Sequence, residues 1–421
     1  MKEWIIRLTL IAFGFIIGIV ALEFGLGVFS PSPNRPVRDT FYQPDDYIGW
    51  KHIPNKKEGR TIVGKVVLDE KLNSQGFRDR EHTYNKGKGI FRIAVLGDSF
   101  CEQLEMPLKQ LFPSVLERKL NSDSEVSKPI EIINLGIGGF GTAQEYLTLK
   151  HYGLKYQPDF VILEFFIGND FEDNSLTLED NPYRPYFVLN SGKLEELPFR
   201  VKVTNPIKVQ EGTKRGVAGQ FQILKDFLVK FFPNIYSSLS DRINATPWLA
   251  NFLWKIGIKE SNTELLDEYK KNGVPIYYFR YAEEYPPEWQ NAWEVTEALI
   301  FKISKELKEN KIGFLVVIIP NELEFQPDIW SKILDEHPQW KTLKFDIKKP
   351  ERILSKFLET SNIDYLLLRP EFEKYSKETG KVLHFHRIGD NHWNAEGHAL
   401  AVELIYRKLK DDKLVPIIRK E

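Results

Sequence analysis

The chain has 421 residues, of which 42% are hydrophobic, and its 58 Lys and Arg nearly balance its 59 Asp and Glu. The apolar content supplies ample core and excludes a disordered chain, while a net charge of −1 lacks the basic footprint of a protein that neutralises nucleic-acid phosphates; no nucleic acid is expected as a partner. A single cysteine, Cys101, excludes an intramolecular disulfide and any cysteine-based zinc or iron–sulfur centre.

Residues 1–30 read as a transmembrane anchor. Leu8 to Leu22 is apolar apart from Thr9, and Phe24 to Phe29 extends the run past Glu23. At about 1.5 Å per residue this length crosses a bilayer core of roughly 30 Å. The run ends in Gly27-Val28-Phe29 rather than at a small-x-small site, which favours an uncleaved anchor over a signal peptide. Lys2 and Arg7 precede it, so the positive-inside rule puts the N-terminus in the cytoplasm and the remaining chain outside, in a periplasmic or extracellular space. The proline-broken stretch Ser30 to Pro36 opens a linker over residues 31–40.

Residues 41–89 carry short β-prone pieces, Thr61-Ile62-Val63 and Lys65 to Leu68, and read as an N-terminal β-rich collar. From residue 90 the pattern changes. The apolar run Phe91 to Leu96 precedes a helical Leu111 to Leu120, Ile130 to Leu135 precedes a helical Thr142 to Tyr152, and Phe160 to Phe166 ends at Gly168. Strands alternating with helices predict a parallel sheet, an α/β architecture whose first half spans residues 90–170. The second half, residues 286–410, resumes with a helix over Trp293 to Glu309, a strand over Phe314 to Ile319, a helix over Glu351 to Glu359 and a strand over Asp364 to Leu368. It closes on a helix from Ala395 to Lys408 capped by Asn394, before a tail over residues 411–421. The stretch between the halves, residues 171–285, is too long for a connecting loop and is expected to be an insertion over the strand ends. It holds a hairpin signal at Tyr186 to Lys193 and helical aromatic stretches from Phe221 to Phe232.

Three strand ends carry polar clusters: Gly97-Asp98-Ser99-Phe100, Asn134-x-Gly136-x-x-Gly139, and Gly168-Asn169-Asp170. A fourth cluster, Asp390-Asn391-His392-Trp393-Asn394, precedes the last helix. A hydroxyl, an imidazole, a carboxylate and several amide donors on one rim are the inventory of acyl transfer through a serine ester.

With these blocks in this order the sequence resembles the SGNH hydrolase superfamily, the GDSL-type esterases, over about residues 90–170 and 290–410. The resemblance implies a three-layer α/β/α, flavodoxin-like fold. It makes Ser99 the nucleophile, His392 the base and Asp390 the residue that orients it, with the Ser99 N–H, Gly139 and Asn169 as oxyanion-hole donors. Phe100 stands where leucine is commonest in the family. Asp390 and His392 are separated by one residue where the lipolytic members have two, and this Asp-x-His-Trp block resembles envelope members linked to polysaccharide O-acetylation. The expected substrate is therefore an ester, an O-acetyl group of an extracytoplasmic glycan, with no cofactor and no metal. A binding module without catalysis and a lipase or thioesterase are the competing readings, the latter kept open by the apolar stretch Phe227 to Phe232.

Other candidates read more plainly. His384, His386, His392 and His398 crowd near Asp390, yet a packed or hydrogen-bonded histidine accounts for His398, and the His384/His386 pair fits a ligand as well as a metal. Asp98 and Asp170 are expected to brace their own loops, Trp393 to pack on the last helix, and Cys101 to be a buried filler. Trp248, Trp254, Tyr277 and Tyr278 read as core aromatics of the insertion, with stacking on sugar rings as the alternative.

Overall fold

A computed structural model describes residues 42–56, 61–62, 65–66, 72–104, 106–179, 181, 183–197, 269, 271–385 and 392–418. The membrane anchor over residues 1–30, the linker over 31–40, the helical stretch Phe221 to Phe232, Trp248, Trp254, His386 and Asp390 lie outside the described residues. Among the described residues, no helix is long and apolar enough to cross a membrane. By its internal contacts the chain divides into residues 1–37 with 207–276, and residues 38–206 with 277–421; the sheet and the site belong to the second unit.

The collar begins with an antiparallel hairpin, β1 (Tyr42–Asp45) and β2 (Gly49–His52), followed by a two-residue ladder of β3 (Thr61–Ile62) with β4 (Lys65–Val66). The core is a five-stranded parallel sheet of β5 (Phe91–Leu96), β6 (Ile130–Asn134), β7 (Phe160–Phe166), β10 (Gly313–Ile319) and β11 (Tyr365–Leu367). Between β7 and β10, the antiparallel hairpin of β8 (Phe187–Asn190) and β9 (Lys193–Glu196) falls on the turn signal at Ser191-Gly192. The core strands lie in the order β11-β10-β7-β5-β6, so the first strand in sequence sits between the second and the third. This is the flavodoxin-like doubly wound order, whose direction reverses between β5 and β7; ligands of such sheets bind beyond the carboxyl ends of the strands at that point.

Helices cover both faces. Helices α2 (Phe112–Ser122) and α10 (Ala395–Asp411) pack together and close Phe112, Leu116, Ala401 and Ile405 over Ile93, Val95 and Ile162. On the other face α3 (Thr142–His151) packs against α5 (Pro287–Glu309), burying Tyr146, Leu147, Leu299 and Ile303. Strand β7 is buried at all seven positions, which is why it reads as an apolar run with a single polar residue, Glu164. The Asn394 side chain accepts from the N–H groups of Glu396 and Gly397, and the helix it starts runs to Asp411, three residues past the predicted end.

Among the described residues, the α-helices without a sequence counterpart are the one-turn helices α1 (Ser99–Glu102), α4 (Asp170–Asp173) and α6 (Glu322–Phe325), then α7 (Pro327–Glu336) and α9 (Arg369–Thr379), and the strands of the first hairpin, β1 and β2, have none either. In α9 only Phe372 is buried, so the segment carries almost no apolar periodicity to read. The remaining helix, α8 (Lys349–Thr360), overlaps its expected range.

Candidate active site

Strand β5 delivers the chain to Gly97 and Asp98 at the reversal of strand order. Asp98 caps α1: its Oδ1 accepts the Phe100 N–H at 2.8 Å, and its own N–H donates to Glu164 Oε2 on the neighbouring strand at 3.2 Å. Ser99 is thereby held half-exposed at the first position of a helix whose other three residues are buried.

His392 comes from the far end of the chain. Residues 383–385 pair with residues 392–394 in an antiparallel bracket, Phe385 N–H to the His392 carbonyl at 2.9 Å and Asn394 N–H to the Leu383 carbonyl at 3.0 Å, with His384 opposite Trp393. The bracket sets His392 Nε2 at 2.7 Å from Ser99 Oγ, across 293 residues of sequence. Phe100 packs on the imidazole with ring centroids 5.1 Å apart and on Trp393 at the same separation. Asp390, the expected orienting carboxylate, lies outside the described residues.

The loop after β6 is stitched to α1 by Asn134. Its Nδ2 donates to the Cys101 carbonyl at 2.9 Å and its Oδ1 accepts the Gly136 N–H at 3.1 Å. The loop then reaches Gly139 at φ +75°, in the left-handed region that favours glycine, and among the described residues only the Trp50 ring lies near where a Cβ would stand. After β7, Asp170 braces its own loop by accepting the Phe166 N–H at 2.7 Å. Asn169 Nδ2 donates to Asp173 Oδ2 at 2.9 Å, and Asp173 in turn pairs with Arg184 at 3.0 Å.

Buried carboxyls crowd behind these loops. Burial raises Asp98, opposed by the Phe100 N–H and by His392. Burial, with Asp98 as neighbouring charge, pushes Glu164 and Glu145 well up, and burial with Glu145 does the same to Asp170. Asp173 is pushed up to about 7 by burial, against the pull of Arg184. By distance His392 is the group placed to take a proton from Ser99, its Nε2 at 2.7 Å from Ser99 Oγ; Asp98 Oδ2 is farther, at 3.4 Å. Cys101 is fully buried, and burial with the Glu164 charge pushes its thiol well up, as suits a filler.

Sequence reasoning missed three neighbours. Trp50 on β2 donates its indole N–H to the Gly138 carbonyl at 3.3 Å. Glu102 on α1 accepts from the Tyr42 hydroxyl at 2.6 Å and pairs with His52. Burial works to raise that carboxyl, but His52, Tyr42 and the Gly138 N–H hold it down to about 2. Gln103 joins α1 to His398 on α10 and to the Trp393 carbonyl. None of these contacts has a sequence signal, because each joins segments with no periodic or spacing relation.

Trp393 packs in the core beside α10, with its ring edge-on to His398 at 5.5 Å. His384 is buried against Phe325, ring centroids 5.3 Å apart. Tyr278 packs on Trp340, centroids 5.3 Å apart, whereas Tyr277 is about half exposed and is not the core residue expected. Among the described residues, no group of three or more His, Cys, Asp or Glu is arranged to hold a metal ion.

No family model matches the chain, and no curated protein matches it. Solved structures do. The acetyl xylan esterase AlAXEase is 14% identical, covering 76% of this chain and 100% of its own with a TM-score of 0.35. A lipase/acylhydrolase from Enterococcus faecalis is 13% identical over 79% of this chain and 99% of its own, TM-score 0.35. A catalytic mutant of Axe2, an acetylxylan esterase from Geobacillus stearothermophilus, is 10% identical over 79% and 97%, TM-score 0.36.

Proposed function

We propose that the chain is a serine esterase or acyl-transfer enzyme of the SGNH type. The observation that carries the reading is the Ser99 Oγ to His392 Nε2 separation of 2.7 Å, at the strand-order reversal of a flavodoxin-like sheet. A serine hydroxyl is a weak nucleophile until an imidazole within hydrogen-bond reach accepts its proton. In this reading Ser99 Oγ attacks the ester carbonyl carbon as His392 Nε2 takes the proton, and Asp390 has the role of orienting the ring. The tetrahedral oxyanion is met by the N–H groups of Ser99 and Gly139 and by the Asn169 amide. Collapse expels the alcohol, which leaves with the proton from His392. Water or an acceptor hydroxyl then releases the acyl group from Ser99 by the same steps in reverse.

The finer reading is an O-acetyl group on a glycan outside the cytoplasm, with residues 1–30 anchoring the enzyme to the membrane. The Asp390-x-His392-Trp393 block supports the acetyl-glycan assignment. A half-buried Trp50 beside Gly139 also supports it, as an indole offers a flat face to a sugar ring.

The test is hydrolysis of p-nitrophenyl esters of increasing acyl length by the full chain, wild type against Ser99→Ala and His392→Ala. Release of acetate that both variants lose, with rates falling as the acyl chain lengthens, is the expected result. A wild type no faster than Ser99→Ala on every ester would sink the esterase reading, and a preference for long chains would move the substrate to lipids or thioesters. Protease access to the domain from outside intact spheroplasts tests the topology, and cleavage only after lysis would overturn it.

A further inference from the structure

Both glycines of the Gly138-Gly139 pair are free of side chains, so this stretch has the shape an oxyanion donor needs but no stiffness of its own. A peptide unit between two glycines can rotate as a plane at little steric cost, and a rotated unit would turn a carbonyl oxygen toward the negative charge it should stabilise. Something outside the loop has to hold it.

We propose that Trp50, on the N-terminal hairpin, is a positioning residue of the oxyanion hole, its indole N–H pinning the Gly138 carbonyl and so aiming the Gly139 N–H. The inference rests on the serine-hydrolase reading above and adds a residue to it from outside the four sequence blocks.

The indole N–H meets the Gly138 oxygen at 3.3 Å. The Gly138 C=O and the Gly139 N–H belong to one planar trans unit and point in opposite directions, so fixing the oxygen toward the hairpin turns the N–H away from it. The preceding peptide unit faces the hairpin side as well, since its Gly138 N–H helps hold the Glu102 carboxyl down. That carboxylate is itself anchored on the hairpin by Tyr42 and His52. A Cβ on Gly138 would stand 2.4 Å from Glu102 Oε2, so any side chain there would push on that carboxylate.

The indole is itself fixed. Phe140 meets it edge-on with centroids 5.6 Å apart, and the Arg184 guanidinium lies 5.4 Å over its ring. Arg184 also holds Asp173, which holds the Asn169 amide. One stacking contact therefore joins the supports of two of the three expected oxyanion donors, Gly139 and Asn169.

Trp50→Phe tests this, since it keeps an aromatic ring for Phe140 and Arg184 and deletes the N–H. With p-nitrophenyl acetate and the full chain, kcat is expected to fall about tenfold or more while KM stays within about twofold, because the lost alignment matters where charge develops. A boronic acid that forms a tetrahedral adduct on Ser99 should lose affinity by a similar factor, with the melting temperature unchanged. A ring acting only in packing would instead lower the melting temperature and leave kcat per folded molecule unaltered. A kcat within twofold of wild type overturns the inference, as does a loss confined to KM. Should Trp50→Phe fail to fold, Trp50→Leu makes the same deletion without adding a donor. Wild type no faster than Ser99→Ala would sink the hydrolase reading and this inference together; an active wild type matched by Trp50→Phe sinks this inference alone.

Discussion

The His398 imidazole and the Gln103 carboxamide meet at 2.7 Å, and the direction of every hydrogen bond around them is determined. The Phe112 N–H can only donate, so the His398 Nδ1 it reaches at 3.2 Å is the acceptor nitrogen and the proton sits on Nε2. Gln103 Oε1 accepts that proton's hydrogen bond, which leaves Gln103 Nε2 to donate to the Trp393 carbonyl, one residue after His392. The Gln103 N–H returns to the Ser99 carbonyl at 2.8 Å. One side chain thus ties the turn that carries Ser99 to the bracket that carries His392.

Gln103→Ala removes that tie and leaves buried partners on both sides. A stability loss of about 1–3 kcal/mol per unmet buried group is expected, with a drop in kcat larger than any change in KM. Gln103→Glu keeps the acceptor for His398 but sets a carboxyl oxygen against the Trp393 carbonyl, and should lose kcat as well. Thermal denaturation and steady-state ester hydrolysis check both variants, and wild-type kinetics in Gln103→Glu would contradict the role.

Stability should respond to pH in two opposite directions. Burial, with His392 nearby, lowers His398 to about 3 from its usual 6.5, so between those values the unfolded chain binds the proton and the folded one does not. Its contribution is complete above pH 6.5 and is lost as pH falls toward 3. Glu145 behaves in reverse: raised by burial, it keeps its proton when folded, so its contribution is complete below the usual carboxyl range and is lost as pH rises. Melting temperatures across pH 4–9 test this. Glu145→Gln should gain on the wild type with rising pH and show no advantage at pH 4. A constant difference across that range would be inconsistent with a buried acid at position 145.

Gly139→Ala tests the left-handed backbone. Among the described residues no atom lies closer than 3.7 Å to the added methyl, so the cost is conformational, about 1–2 kcal/mol for an L-residue at φ +75°. Relief of that strain would tilt the Gly139 N–H, and kcat is expected to fall about tenfold or more, toward the cost of losing one oxyanion donor. Full activity with normal stability would show that the N–H at position 139 does not meet the oxyanion.

The strands of the sheet were legible because their burial is periodic or continuous. FRIAVL, FVILEFF and GFLVVII are read as buried strands with no knowledge of their neighbours, and each strand-end motif follows its strand directly. Ser99, His392, Gly139 and Asn169 could be named for a different reason, because the short blocks that hold them, in that order, resemble those of the SGNH hydrolases. Helix α9 was not legible, because one buried phenylalanine in eleven residues leaves no period to detect.

By itself, then, the sequence determined which residues occupy the strand ends, since hydrophobic periodicity and turn chemistry act over a few neighbouring positions. Only the tertiary structure decided the strand order that brings β5 and β7 side by side, the 2.7 Å approach of Ser99 and His392 across 293 residues, and the hold of Trp50, Arg184, Gln103 and His398 on the site. These are single hydrogen bonds, ion pairs and ring contacts between distant segments. Their partners are chosen by how close packing brings the layers together, and that choice leaves no mark on residue spacing.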